Sequence, residues 1–403
     1  MRCSMKQQAI ANVVDRNYSL MTVILCWSGL VVMSSLYVTI PLIPMFAELF
    51  GKTPTQATAV GSTFSIGFAV GCLIYGALSD KYGRKKVICM GLIFLTVISF
   101  LLGIVDSFVG IVILRGLQGA AAATFSPVAL SYAVEMYPAE KRVTTIGFIS
   151  TGFLTAGIVG QVISGMISQS YGWHAVFYLL AVIYALTALL VLIFLPKGEI
   201  HQSHANIWGP IMQIGKVFAQ KNLVLSYVVA FVLLMSFVSM YTVLGNYLSH
   251  SPFSLSKEQI LYIRSVGVLG MLVSPFSGKL TKRFGIRPTL RSGVLLAIIG
   301  MMSFGMTSSL PFLIGMSLIF VVGIALAVPS LVSLVGQLGG KQRGIAVSVY
   351  TFILFAGTSL GPILSLYFMR SGSYAVTFIL LALVLGVGLL AACLINREVS
   401  EEK

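Results

Sequence analysis

The chain has 403 residues, 57% hydrophobic and only 9% charged, with a mean hydropathy of +0.98. Soluble globular domains carry about 25% charged residues, so this composition excludes a soluble fold and points to an all-α polytopic membrane protein. The net charge of +15 does not make nucleic acid a partner, because the Lys and Arg residues stand between apolar runs and not on one solvated face.

The first 17 residues are polar and modestly basic, with Arg2, Lys6 and Arg16. The apolar run that follows, about Leu20 to Leu42, lacks a small-residue cleavage site and is too long for a signal-peptide core, so it reads as a retained first helix. Crossing a hydrocarbon layer takes about 20 helical residues. Splitting the chain at its charged, Pro- and Gly-bearing breaks predicts twelve such helices. The first six run over 19–42, 55–78, 87–105, 107–135, 143–168 and 175–195; the second six over 223–248, 257–280, 289–308, 311–335, 344–368 and 374–395.

Alternate loops hold 21 of the 26 cations. By the positive-inside rule these loops and both termini are cytoplasmic, in a multi-pass protein of the cell membrane. The five cysteines, at positions 3, 26, 72, 89 and 393, have no paired spacing, so core packing is their expected role, with neither disulfide nor zinc site.

The two halves repeat each other. Gly76, Tyr82 and Gly83 precede Gly278, Phe284 and Gly285 by 202 positions, as Pro127 precedes Pro329. Arg142, Gly160, Trp173 and Phe177 precede Arg343, Gly361, Tyr374 and Phe378 by 201. The expected organisation is a six-helix bundle over 1–196, a cytoplasmic linker over 197–222 and a second six-helix bundle over 223–403, with substrate between the bundles. His201 and His204 in the linker have no Cys or acidic cluster beside them, and a solvated segment explains them better than a metal site.

Enzymatic motifs are missing. Gly278-Lys279 is followed by Leu280 where a phosphate-binding loop needs Ser or Thr, and Val273 stands where that loop needs Gly. No nucleophile elbow, acid-base pair or metal cluster is legible.

The basic loop between the second and third helices reads Gly76-x-x-x-Asp80-x-x-Gly83-Arg84-Lys85-Lys86. It resembles the signature loop of the major facilitator superfamily, and the twelve helices, the 6+6 repeat and the weaker copy Gly278-x-x-x-Lys282-x-x-Gly285-x-Arg287 extend the resemblance over the whole chain. It implies a conformational gate, in which Asp80 faces the start of the eleventh helix near Ala346 and Arg84 bridges it to Glu135. The run Glu135-Met136-Tyr137-Pro138-x-x-x-Arg142 resembles the acidic-Pro-Arg element found there in the family, so Gly76, Gly83, Lys85 and Arg142 join the gate set.

Arg115 and Gln118, in a stretch similar to the family's fourth-helix motif, are expected to line a substrate or proton cavity with Gln161, Tyr241 and Arg264, and Arg115 has a second reading as a guanidinium satisfied by carbonyls or held against Gln118 within the bundle. Arg264 has a second reading, as a side chain snorkelling to the outer interface. Gly157, Gly160 and Gly165 form a helix-packing motif resembling that of antiporters, with Gln161 in place of the expected proline, while Gly361-Pro362 keeps the pair in the second half. All eleven acidic residues fall outside mid-membrane positions.

The resemblance implies a secondary active transporter working by alternating access, most simply proton-coupled efflux of small molecules such as drugs or sugar-like metabolites. Uptake symport or exchange of an organic anion or sugar is the alternative. No cofactor is expected beyond a proton gradient as energy source, and the expected partners are a small-molecule substrate and the bilayer, for a monomer.

Overall fold

Backbone polar groups inside a bilayer must satisfy one another, so long apolar segments fold as helices. Every regular element among the described residues is helical. The computed structural model describes residues 17–197, 215, 217–306 and 309–395. Arg2, Lys6, Arg16, Cys3, Arg397, Lys403 and most of the linker, with His201 and His204, lie outside them.

The first half comprises α1 (Tyr18–Tyr37), α2 (Ala59–Tyr82), α3 (Arg84–Leu102), α4 (Phe108–Ala122, resuming as Ser126–Met136), α5 (Ala139–Tyr171) and α6 (Trp173–Phe194). The second comprises α7 (Lys221–Ser249), α8 (Lys257–Met271, resuming as Ser277–Phe284), α9 (Ile286–Ser303), α10 (Leu310–Leu338), α11 (Arg343–Met369) and α12 (Tyr374–Leu394). Eleven are long and apolar enough to cross a membrane. The twelfth, α9, is diluted by Arg287, Pro288 and Arg291 in its first two turns.

Proline accounts for the departures from the expected boundaries. The first helix stops at Tyr37, not residue 42, and a short helix Ile43–Leu49 with Pro44 in its first turn follows. Pro127 starts the second segment of α4, and Pro275 sits in the 3-10 turn Ser274–Phe276 that interrupts α8. Proline lacks an N–H and clashes with the preceding turn, so such breaks are its ordinary consequence. Cysteine packing holds for Cys72 and Cys89, which are buried, but Cys393, at the end of α12, is exposed.

The helix pairings of one half recur in the other. α1 packs on α5 as α7 packs on α11; α2 on α4 as α8 on α10; and α3 on α6 as α9 on α12. Between the halves, α2 and α4 meet α11, while α8 and α10 meet α5. Small residues set the closest approaches, as is usual where lipid offers no hydrophobic drive between helices. In the first half a Cβ on Gly119 of α4 would stand 2.0 Å from the Phe64 carbonyl oxygen of α2.

The contacts across the halves are unevenly placed. Phe68 meets Phe355 edge-on at 4.8 Å, Thr151 Oγ1 donates to the Met271 carbonyl at 3.1 Å, and Gly76, Gly147, Gly278 and Gly344 each touch the opposite half. Among the described residues, these contacts lie between mid-membrane and the end that carries the basic loops. The two bundles are joined at that basic end.

Gly119→Val is expected to lower the thermal unfolding midpoint in detergent, because a side chain cannot displace backbone, at the roughly 1–3 kcal/mol typical of overpacking. Gly315→Ala, where a Cβ would meet nothing within 4 Å, serves as the control that leaves the midpoint in place.

Candidate functional site

Gly83 ends α2 and begins α3 with φ of +91°, a conformation that favours glycine. The reversal it allows brings Arg84, the first residue of α3, back over the last turn of α2. Arg84 Nη2 lies 2.5 Å from Asp80 Oδ1 and 2.7 Å from Glu135 Oε1, while Nε donates to Glu135 Oε2 at 2.8 Å and Nη1 to Ser79 Oγ at 2.6 Å. Glu135, on the last turn of α4, therefore receives the guanidinium fork on both oxygens, the strong bidentate geometry.

The cluster reaches the second half. Arg343, the first residue of α11, donates Nε to Glu135 Oε1 at 3.2 Å. A Cβ on Gly344 would lie 2.4 Å from Asp80 Oδ2, so the carboxylate rests against the first turn of a 27-residue helix, whose partial positive charge favours an anion. A Cβ on Gly76 would stand 1.5 Å from Ser348 Oγ, so only glycine lets α2 and α11 close to this distance. With side-chain exposures of 3% for Arg84 and 12% for Glu135 the central pair is buried, while Asp80 and Arg343 at its flanks are about a third exposed. The worth of about 0–1 kcal/mol given to exposed pairs does not apply to that central pair.

Two residues of the expected gate set stand outside the cluster. Arg142 Nε donates to the Tyr137 carbonyl at 2.8 Å, tying down the α4–α5 connection, and Lys85 Nζ caps α6 through the Leu192 carbonyl at 2.8 Å. The residue that sequence reasoning missed is Arg343. Its signal was the 201-residue offset from Arg142, which marks it as the matching cation of the second half.

At the other copy of the loop, Lys282 Nζ lies 3.7 Å from Glu140 Oε2, with both side chains more than half exposed. That pair is worth about 0–1 kcal/mol. Beside it opens a cleft of about 440 Å³ lined by Tyr18, Tyr137, Glu140, Lys141, Lys279 and Lys282, among others.

The expected cavity residues separate. Arg115 is 0% exposed. It donates to the Val60 carbonyl at 3.3 Å, to the Ser35 carbonyl at 2.9 Å, to Thr39 Oγ1 at 3.4 Å and to Gln118 Oε1, and lies over the Phe64 ring at 4.4 Å. Gln118 passes the network to Ser99 Oγ at 2.8 Å. The two residues tie α1, α2, α3 and α4 together and do not line a cavity in this conformation. Gln161 folds back onto the Gly157 carbonyl of its own helix at 2.5 Å. Gly160 packs on Ser34 and Gly361 on Met235, and Ser239 Oγ donates to the Gly361 carbonyl at 3.0 Å. A Cβ on Gly157 would lie 3.5 Å from the Tyr37 ring and one on Gly165 would lie 4.0 Å from Pro41, both ordinary contact distances. Arg264 does not snorkel outward: its Nη2 donates across to the Tyr241 carbonyl of α7 at 2.8 Å.

Twelve membrane helices in two repeated bundles, closed at one end by a charged glycine loop, define a transporter architecture, and the sequence comparisons agree. The family model of the Major Facilitator Superfamily matches residues 25–352 and 265–403, and the chain belongs to that superfamily. It is 26% identical over 326 residues to the uncharacterised transporter YybF of Bacillus subtilis, covering 81% of this chain and 80% of the relative. It is 23% identical over 359 residues to Multidrug resistance protein 1 of the same organism, covering 87% and 91%. The crystal structure of the superfamily transporter FucP in its outward conformation superposes with a TM-score of 0.78 at 15% identity, over 95% of this chain and all of that one.

Removing one charge from a buried, hydrogen-bonded ion pair costs about 3–5 kcal/mol. In a cysteine-free background Ser348→Cys, a position 2% exposed, is expected to resist a membrane-impermeant maleimide, and adding Glu135→Gln is expected to make it reactive. Glu140→Gln at the exposed pair should leave the labelling unchanged.

Proposed function

We propose that the chain is a secondary active transporter of the cell membrane, working by alternating access, and that it exports small molecules, drugs or sugar-like metabolites, in exchange for protons. Both termini lie on the cytoplasmic side in this reading, which makes the basic end the cytoplasmic one. The observation that carries it is the Asp80–Arg84–Glu135–Arg343 network, built on the buried Arg84–Glu135 pair, which joins the bundles at the basic end. A charged network that spans the seam between two repeats is a contact that closes in one state and parts in the other, as alternating access requires.

Export is favoured by the multidrug resistance relative and by the glycine-rich α5. Among the described residues no carboxylate sits at mid-membrane, so proton coupling falls to the membrane-edge carboxylates Asp80, Glu135 or Asp106. Asp106 stands at the opposite end of the molecule, 2.9 Å from His174 Nε2. Arg264, an intramembrane cation in the second half, favours a second reading, uptake symport or exchange, with an organic anion as the cargo.

Purified protein in proteoliposomes, assayed by counterflow with ethidium and with labelled monosaccharides, tests the proposal. An imposed pH gradient is expected to drive net flux and its collapse to leave only exchange. Flux indifferent to that collapse rules out proton antiport.

A further inference from the structure

The two intramembrane arginines are treated very differently by the fold. Arg115 is enclosed by acceptors from α1, α2 and its own helix. Arg264 stands eight residues into α8 from its cap at Ser256, about 12 Å at 1.5 Å per residue. Tyr241 stands eight residues before the end of α7 at Ser249, at the same depth.

Arg264 has one described hydrogen bond, to the Tyr241 carbonyl, and no carboxylate lies within ion-pair distance among the described residues. Its Nε and the Tyr241 hydroxyl are both buried with no hydrogen-bond partner there. Each residue as a whole remains half-buried.

The surrounding backbone is cut away to seat this pair. A Cβ on Gly245 of α7 would lie 2.3 Å from Arg264 Nη2, and one on Gly267 of α8 would lie 2.0 Å from Tyr241 Oη. One glycine on each helix therefore makes room for the other helix's polar side chain. The Tyr241 ring meets Phe237 edge-on at 5.2 Å and lies 6.0 Å from the guanidinium carbon. Along α8, Arg264 is seven residues, roughly 10 Å, beyond the Met271 contact with α5, toward the end where the described contacts between the bundles stop.

An unpaired guanidinium at this depth costs on the order of 2.5–3.5 kcal/mol even on the lenient insertion scale. Its planar fork matches a carboxylate or sulfonate, the Tyr241 hydroxyl supplies a further donor, and the adjoining rings suit an aromatic body. We infer that Arg264 and Tyr241 form the anion-binding subsite of the transport cavity, and that the cargo is an amphipathic organic anion carrying a carboxylate or sulfonate on an aromatic or apolar body. The inference rests on the transporter reading for its role and on the geometry alone for its ligand chemistry.

Binding of 1-naphthoate and of its uncharged isostere 1-naphthamide to the purified full-length protein tests it by calorimetry. The parent protein is expected to prefer the anion by about tenfold, which corresponds to roughly 1.4 kcal/mol. Arg264→Gln should erase that preference and Tyr241→Phe should reduce it, with unliganded melting midpoints reporting that each variant folds. Where Arg264→Gln does not fold, Arg264→Lys decides: a point charge without the fork should weaken naphthoate binding by about tenfold and leave naphthamide binding as it was. Equal binding of the two probes by the parent overturns the subsite, as does a full preference in a folded Arg264→Gln or parental naphthoate affinity in Arg264→Lys. An anion preference that depends on Arg264 supports the subsite even if proteoliposome flux ignores the pH gradient, a result that removes proton-coupled export alone.

Discussion

The guanidinium of Arg84 holds the closed end of this protein together. It is almost fully buried, and it gathers carboxylates from α2 and α4 while Arg343 adds a cation from the other half. Every favourable feature nearby serves that geometry: the left-handed Gly83 that turns α3 back over α2, the missing Cβ at Gly76, and the helix terminus against Asp80. Burial makes the network costly to break by deleting one member, while its net contribution over an apolar contact is small. A strong penalty for disorder combined with a small net preference suits a two-state seam better than a permanent weld.

The first half is held internally by a second guanidinium. Arg115 and Gln118 collect acceptors from α1, α2 and α3, which makes that bundle a rigid unit able to move as one piece. Among the described residues the second half has no matching polar hub at Arg264, where one hydrogen bond replaces several. Rigid bundles with a labile seam are the arrangement in which a local change of charge is amplified into motion of whole domains, because packed interfaces switch between discrete arrangements.

Much of this was legible from residue spacing. Helix number and the repeat follow from apolar run lengths, loop charges and the glycine spacing, all of which act locally along the chain, whereas the meeting of Asp80 and Arg84 with Glu135, 51 positions beyond Arg84, was implied by the loop's resemblance to the superfamily's signature. The depth of Arg115 was equally readable, since it depends only on counting residues from a helix end. Gln118 and backbone carbonyls could be named as its partners, but which carbonyls could not, because they come from helices 55 and 80 positions away in sequence and helix rotation leaves no trace in hydropathy. Arg142 and Arg343 show the same limit. The repeat identified them as mates, but only the packed interface decides that Arg343 reaches Glu135 while Arg142 turns to the Tyr137 carbonyl.

The polarity of the two loop copies is reversed. Asp80 points at the start of α11, where Arg343 stands, and Lys282 at the start of α5, where Glu140 stands. Two copies of the first half facing each other would set Asp80 against Glu140, and two copies of the second would set Lys282 against Arg343. Like charges at a seam are a means of rejecting wrong partners. The inversion therefore disfavours each half as a mate for itself and favours the other half in its place.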